Sequence, residues 1–241
     1  MSVLAMFLIT IGILQVSVFI TTIYLHRAMC HRGLELNPVV ANLMHFHLTL
    51  FTGIVPRQWV AVHRKHHHFS DREGDPHSPY LLGLWHVFFG NFFIYRVEIR
   101  NQATIRKYTP DHKPDLIDHL PGFKHGVGAY IGLGVFMLMF GWAWGFAMWL
   151  FHAVTYILLN SSINSICHMI GYRNYDNLAT NHQWIALLTG GEGLHNNHHE
   201  YPSSAKFALK AREIDPAWPV IWTLEKLGLA RVKEASIATA A

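Results

Sequence analysis

From Gly126 to Tyr172 the chain carries no Asp, Glu, Lys or Arg. A soluble domain rarely sustains such a run, and it is too long for one crossing of a ~30 Å hydrocarbon core. It suits a hairpin of two membrane arms, Val127–Phe140 and Phe146–Asn160, with the break at Gly141–Gly145 around Trp142 and Trp144. A second uncharged run, Val3 to Tyr24, is about twenty residues and long enough to span. A signal peptide would need a positive leading region and a shorter apolar stretch, so a retained span is expected. Composition agrees: 51% of residues are hydrophobic and 14% charged, against roughly 25% charged in soluble domains.

Two further apolar stretches, Pro38–Pro56 and Tyr80–Val97, are ambiguous. Three histidine clusters decide the parity. They are His26–His31 (HRAMCH), His63–His67 (HRKHH) and His195–His199 (HNNHH), each beside an apolar segment. One metal site needs its ligands on one side of the bilayer, so both stretches are expected to be interfacial or re-entrant. No Lys or Arg precedes Arg27, and none lies at the hairpin tip. The positive-inside rule then puts all three clusters in the cytoplasm. The formal charge of +4 follows from that flanking pattern, and no nucleic-acid partner is expected.

The expected fold is therefore an all-α membrane protein of one domain, 1–241, in the cell inner membrane. It has about three transmembrane helices, near 3–24, 127–140 and 146–160, plus interfacial helices. A cytoplasmic His-rich cap is expected from 26–125 and 164–241. Helix signals continue in Ser204–Arg212 and Trp218–Leu227.

Positions i, i+3 and i+4 share a helix face, so His63, His66 and His67 can present imidazoles together, and His195, His198 and His199 repeat the geometry. His68 points away. His26 and His31 lie about 140° apart on a regular helix and converge only if the helix ends or bends between them. Asn164 and His168, i and i+4, read alone as an interhelical hydrogen bond; beside the clusters they read as one more ligand and a water-mediated contact. Nine imidazoles exceed the four to six ligands of one ion, so two ions are implied. Structural zinc is usually four-coordinate and often cysteine-rich; redox-active iron suits many imidazoles better. Asp75 could orient a ligand imidazole or serve the turn before Pro76, and His77 could hydrogen-bond behind a ligand.

Other histidines have plainer readings. His45, His47 and His86 are expected to satisfy hydrogen bonds, His152 to bond another helix, and His112, His119 and His125 to be solvated. Cys30 and Cys167 are expected to be buried packing residues without a disulfide.

The stretches YLHRAMCHR (Tyr24–Arg32), WVAVHRKHHH (Trp59–His68) with DPHSP (Asp75–Pro79), NSICH (Asn164–His168) and GEGLHNNHHEYP (Gly191–Pro202) resemble the membrane fatty acid desaturase family. The resemblance is to the stearoyl-CoA Δ9-desaturase type, bacterial branch. It implies a dinuclear iron centre (two Fe2+) held by His26, His31, His63, His66, His67, His168, His195, His198 and His199, with Asn164 contacting one metal through water. No catalytic residue beyond the metal ligands is implied. The implied activity is O2-dependent insertion of a cis double bond, Δ9 expected, into a long-chain acyl substrate. Two departures matter. The family usually has four spans, whereas one precedes the first cluster here, so either the first helix is dispensable or this start is truncated. Ala61 and Val62 stand where animal members carry an Arg–Asp pair for the CoA head group, which leaves CoA, acyl carrier protein and phospholipid open as carriers.

Without ferredoxin-type cysteines, a Gly-rich flavin motif or a fused cytochrome motif, electrons should come from a separate ferredoxin- or cytochrome-type donor with its reductase. Arg64, Lys65, Lys206 and Lys210 could dock an acidic donor or simply be positive-inside charge. A membrane acyl hydroxylase on the same scaffold is the near alternative. A non-catalytic metal transporter is the distant one, and it would string ligands along a crossing path.

Overall fold

The computed structural model describes residues 1–233. Helix α1 (Val3–Ile20) starts at Ser2, whose side chain accepts from the Ala5 N–H. It runs without a break into a π-helix, Thr21–Cys30. Together they form one apolar rod, Val3–Cys30, which contains an 18-residue stretch with a mean hydropathy of 2.5. Strand β1 (Leu34–Leu36) then pairs antiparallel with β2 (Ala230–Val232), Leu34 opposite Val232. The end of the described chain is thereby tied beneath the first histidine cluster.

Helices α2 (Pro38–Thr52) and α3 (Pro56–Phe69) each begin on proline, which lacks the N–H that a first-turn residue cannot use. Between them Gly53 takes a left-handed conformation, and the two axes meet at 88°. The stretch Pro38–Pro56 therefore turns sharply where a straight crossing would continue. Helices α4 (Pro79–Leu82), α5 (Leu84–Glu98) and α6 (Gln102–Tyr108) follow. At 15 residues, α5 is about 22 Å long, short of a span, and Trp85, Phe89 and Phe93 stand exposed on it.

Helix α7 (Gly128–Phe140) ends at Gly141, where φ 81° and ψ 161° reverse the chain, and α8 (Trp142–Asn164) returns. The break falls at the start of the expected interval. The returning arm begins at Trp142 rather than Phe146 and continues through α9 (Ile166–Met169). Glycine lets α7 approach α2: a side chain at Gly132 would run into the Leu50 carbonyl, and one at Gly128 into that of Thr49. Met6, Phe136, Phe140 and Met148 form the core of this bundle. Leu4, Leu8, Leu138 and Trp142 face outward, as lipid contact requires. Val3–Cys30 and Trp142–Met169 are long and apolar enough to cross a membrane; Gly128–Phe140 is apolar but shorter, and the α2–α3 pair qualifies only as a bent unit. The molecule is thus a mainly helical protein with two or three candidate spans.

The remaining helices are α10 (Gln183–Leu188), α11 (His195–Glu200) and α12 (Ala217–Lys226). The last matches the expected Trp218–Leu227. The helix expected over Ser204–Arg212 is absent. Carboxylates replace helical hydrogen bonding there: Glu213 accepts from the Leu209 and Lys210 N–H groups, and Asp215 from that of Phe207.

Candidate metal centre

In a π-helix the backbone bond closes from i+5 to i. The His31 N–H donates to the His26 carbonyl at 3.1 Å, so residues five apart stack. Two imidazoles that a regular helix would separate are thereby brought to 4.9 Å between ring centres. Arg64 closes the end of this helix by donating to the Met29 and Cys30 carbonyls.

Helix α3 supplies His63, His66 and His67. Helix α11 supplies His195, His198 and His199, although it is six residues long and could not hold its shape alone. Asparagines do so. Asn181 Oδ1 accepts from the Asn196 and Asn197 N–H groups. Asn196 Oδ1 accepts from the Asn174 and Tyr175 N–H groups, and Asn197 Nδ2 donates to the Phe207 carbonyl. The two asparagines inside HNNHH hold the turn that aims the histidines.

The ring nitrogens gather into two adjacent groups: His26, His31, His63, His67 and His198, and His66, His168, His195 and His199. Each HxxHH cluster is shared between them. From α3, His63 and His67 go to the first group and His66 to the second. From α11, His198 goes to the first, and His195 and His199 to the second. The groups touch, with the His67 and His199 rings stacked at 4.4 Å. Such a gathering differs from ligands strung along a path.

Carboxylates fix the proton positions. Glu192 lies 2.6 Å from His26 Nδ1, Asp75 2.9 Å from His66 Nδ1, and Asp71 2.7 Å from His168 Nδ1. An ionised carboxylate only accepts, so each Nδ1 carries the hydrogen and each Nε2 presents a lone pair. Those nitrogens face other imidazole nitrogens: His26 to His198 at 3.0 Å, His168 to His195 at 3.0 Å, His66 to His199 at 3.3 Å. Two imidazole nitrogens about 2.1 Å from one metal ion and at right angles are about 3.0 Å apart. The donor set fits a pair of first-row metal ions, for which imidazole is a suitable ligand, iron among them.

Burial first, then neighbouring imidazoles, hold His31, His195, His198 and His199 well below the ordinary histidine range. Burial would raise Asp75, but the hydrogen bond from His66 outweighs it and keeps the carboxyl well below the usual range. Asp75 also accepts from the Asp71 and His77 N–H groups, so it orients an imidazole and shapes a turn at once. His77 stacks on His66 at 4.6 Å, and its buried Nε2 has no partner among the described residues. Asn164 lines a cavity with His26 and His63 and donates to Asn91 at 3.4 Å.

Glu192 and Asp71 escaped the sequence reading. Glu192 lies inside the third motif, three residues before His195, and Asp71 four residues after His67, yet each pairs with a histidine distant in sequence, His26 and His168, so local spacing carried no signal. His45 pairs with Asp115, and His47 with Ser17, as the plain readings expected. His152 also meets Ser17, at 3.4 Å. His112 departs from expectation: it lies 3.7 Å from Asp118 with its side chain 10% exposed, because the loop folds back on itself. Cys30 and Cys167 are free and buried. Arg64 and Lys65 are engaged by Asp111 and Glu98.

A cavity of about 440 Å³ opens beside the first group. His26, His63 and Glu192 line one end, and Asn164, Asn160, Tyr156, His152 and Trp149 line the wall along α8.

The fatty acid desaturase profile matches residues 2–223. The chain belongs to that family. The desaturase is 33% identical to an sn-1 stearoyl-lipid 9-desaturase of Anabaena variabilis, over 87% of this chain and 76% of the relative. It is 32% identical to a hex-5-enoyl-[acyl-carrier protein] acetylenase of Moorena producens, over 91% and 74%. It is 34% identical to an acyl-CoA 5-desaturase of Anemone leveillei, over 88% and 66%. The desaturase is thus an enzyme acting on fatty acyl chains, and its histidine clusters are those compatible with the family's histidine boxes.

Proposed function

We propose that this desaturase inserts a cis double bond, at Δ9, into a long-chain acyl substrate, using two iron ions held by the nine histidines. The observation that supports this most directly is the meeting of carboxylate-oriented imidazoles in groups of five and four. The overall conversion is R–CH2–CH2–R′ + O2 + 2 e⁻ + 2 H⁺ to R–CH=CH–R′ + 2 H2O. Bound iron supplies O2 activation and hydrogen abstraction from an unactivated methylene. Electrons come from a separate ferredoxin- or cytochrome-type donor. Lys206 and Lys210, which have no carboxylate partner among the described residues, are candidates to meet it.

The chain's own residues do the positioning. Glu192, Asp71 and Asp75 hold the Nδ1 protons of His26, His168 and His66 so that the Nε2 atoms of these three stay aimed inward. The cavity takes the acyl chain along α8, where Asn164 to Trp149 is about 22 Å of helix. Val62, Ile163, Ile157 and Phe51 on its walls exclude water, and the carbon held beside His26 and His63 sets the double-bond position. In this reading α1, α7 and α8 span the inner membrane, α5 lies at the interface, and the metal-bearing cap faces the cytoplasm. The carrier is a membrane lipid, a CoA thioester or an acyl carrier protein; relatives named for each are 32–34% identical.

Expression in a bacterium without aerobic desaturation tests the proposal. Fatty-acid profiling should show new cis-9 monoenes, two mass units below the saturated chain, and His67→Ala should abolish them. Hydroxylated chains without unsaturation would assign the hydroxylase chemistry instead.

A further inference from the structure

Arg27 follows a histidine of the first group directly and is 1% exposed. All five of its N–H bonds are used. Nε donates to Thr22 Oγ1 at 3.1 Å. Nη1 donates to the Ala205 carbonyl and Asp215 Oδ2 at 2.8 and 2.9 Å. Nη2 donates to the Gly190 carbonyl and Asp215 Oδ1 at 3.1 and 3.0 Å. The guanidinium also lies 3.8 Å from the centre of the Phe207 ring, which packs on His198 at 4.8 Å.

The direction of these bonds carries information. A guanidinium has no lone pair to offer, so the Thr22 hydroxyl must accept from Arg27. Its single hydrogen is then left for Glu192, to which it donates. Glu192 in turn receives the proton-bearing Nδ1 of His26. Arg27 thus donates on both sides, to Asp215 and to Thr22, and Glu192 accepts on both sides, from the Thr22 hydroxyl and from His26 Nδ1, which holds the carboxylate in place and leaves the His26 Nε2 lone pair facing the first group. In the second group the Ser78 hydroxyl donates to Asp71 as Thr22 does to Glu192, but Ser78 accepts from the Tyr80 N–H where Thr22 accepts from a buried guanidinium.

We propose that the Arg27–Asp215 pair is a positioning element dedicated to the five-histidine site, setting the tautomer of His26 through Thr22 and Glu192. It rests on the two-metal reading above. It couples residues 205–215, which hold no metal-facing histidine, to the affinity of one site alone.

Cobalt titration of the metal-stripped protein in detergent, followed by visible d–d absorption, tests it. Wild-type protein should take two Co2+ per chain. Thr22→Val keeps the volume and removes the hydroxyl; it should weaken one Co2+ about 10- to 100-fold and leave the other unchanged. Thr22→Ser should restore both. Two sites of wild-type affinity in Thr22→Val, or equal weakening of both, would overturn the proposal. Wild-type protein that binds no Co2+ would overturn the metal reading itself.

Discussion

Stripping the metal should make this protein acid-labile in a window set by histidine. His31, His195, His198 and His199 are buried and held neutral, with pKa values well below the ordinary one. In the unfolded chain they titrate near pH 6.5. A depressed folded pKa contributes stability above the unfolded value that is lost as pH falls, since the unfolded state then binds more protons. Each group changes the balance by about 1.4 kcal/mol per pH unit below 6.5. From pH 7.5 to 5.5 the four together remove about 5 kcal/mol when the folded state takes up no proton. At about 2–4 °C per kcal/mol for a chain of this size, the midpoint should fall by 10–20 °C. The assay is thermal unfolding of chelator-stripped protein in detergent at the two pH values, beside a metal-loaded sample. Asp71 and Asp75 titrate far below this window and do not interfere. A metal-free midpoint that is flat between pH 7.5 and 5.5 would refute the claim that these imidazoles are buried and neutral.

Three further outcomes are expected. Asp71→Asn should cost the four-histidine site about 10- to 100-fold in metal affinity, moving iron content towards one per chain by elemental analysis while the five-histidine site stays loaded. Trp149→Ala, at the cavity end remote from the histidines, should shift the products of an expressing host towards longer chains; an unchanged chain-length distribution by gas chromatography would place the far end elsewhere. Gly132→Ala should sharply reduce folded protein, judged by a monodisperse detergent peak, because its methyl group would meet the Leu50 carbonyl and a main-chain atom cannot move aside cheaply.

Much of this was legible in the chain because charge and period report on burial. The uncharged runs marked α1 and the α7–α8 hairpin, and Gly141 broke the hairpin where a glycine with positive φ was needed. The i, i+3, i+4 spacing located the histidine-bearing faces of α3 and α11, which the structure brings together. It did not show that each face is split between two groups, since that depends on how α3 and α11 cross. The meeting of His26 with His31 was illegible for a different reason: ordinary helical period forbids it, and only the wider π turn allows it. Glu192 and Asp71 were hidden because an acid becomes an imidazole's partner through tertiary contact. Ser204–Arg212 misled because helix-favouring residues there yield to two carboxylates, Glu213 and Asp215, that claim the backbone donors.

The π turn at residues 21–30 makes length, more than composition, the guarded quantity of the loop between the first two imidazoles. Ala28 and Met29 could be exchanged for other side chains with little geometric effect. Inserting or deleting a single residue there would break the five-residue register that sets His31 over His26. In a mutational library Ala28 and Met29 should therefore tolerate many substitutions, while indels between His26 and His31 should be nearly absent.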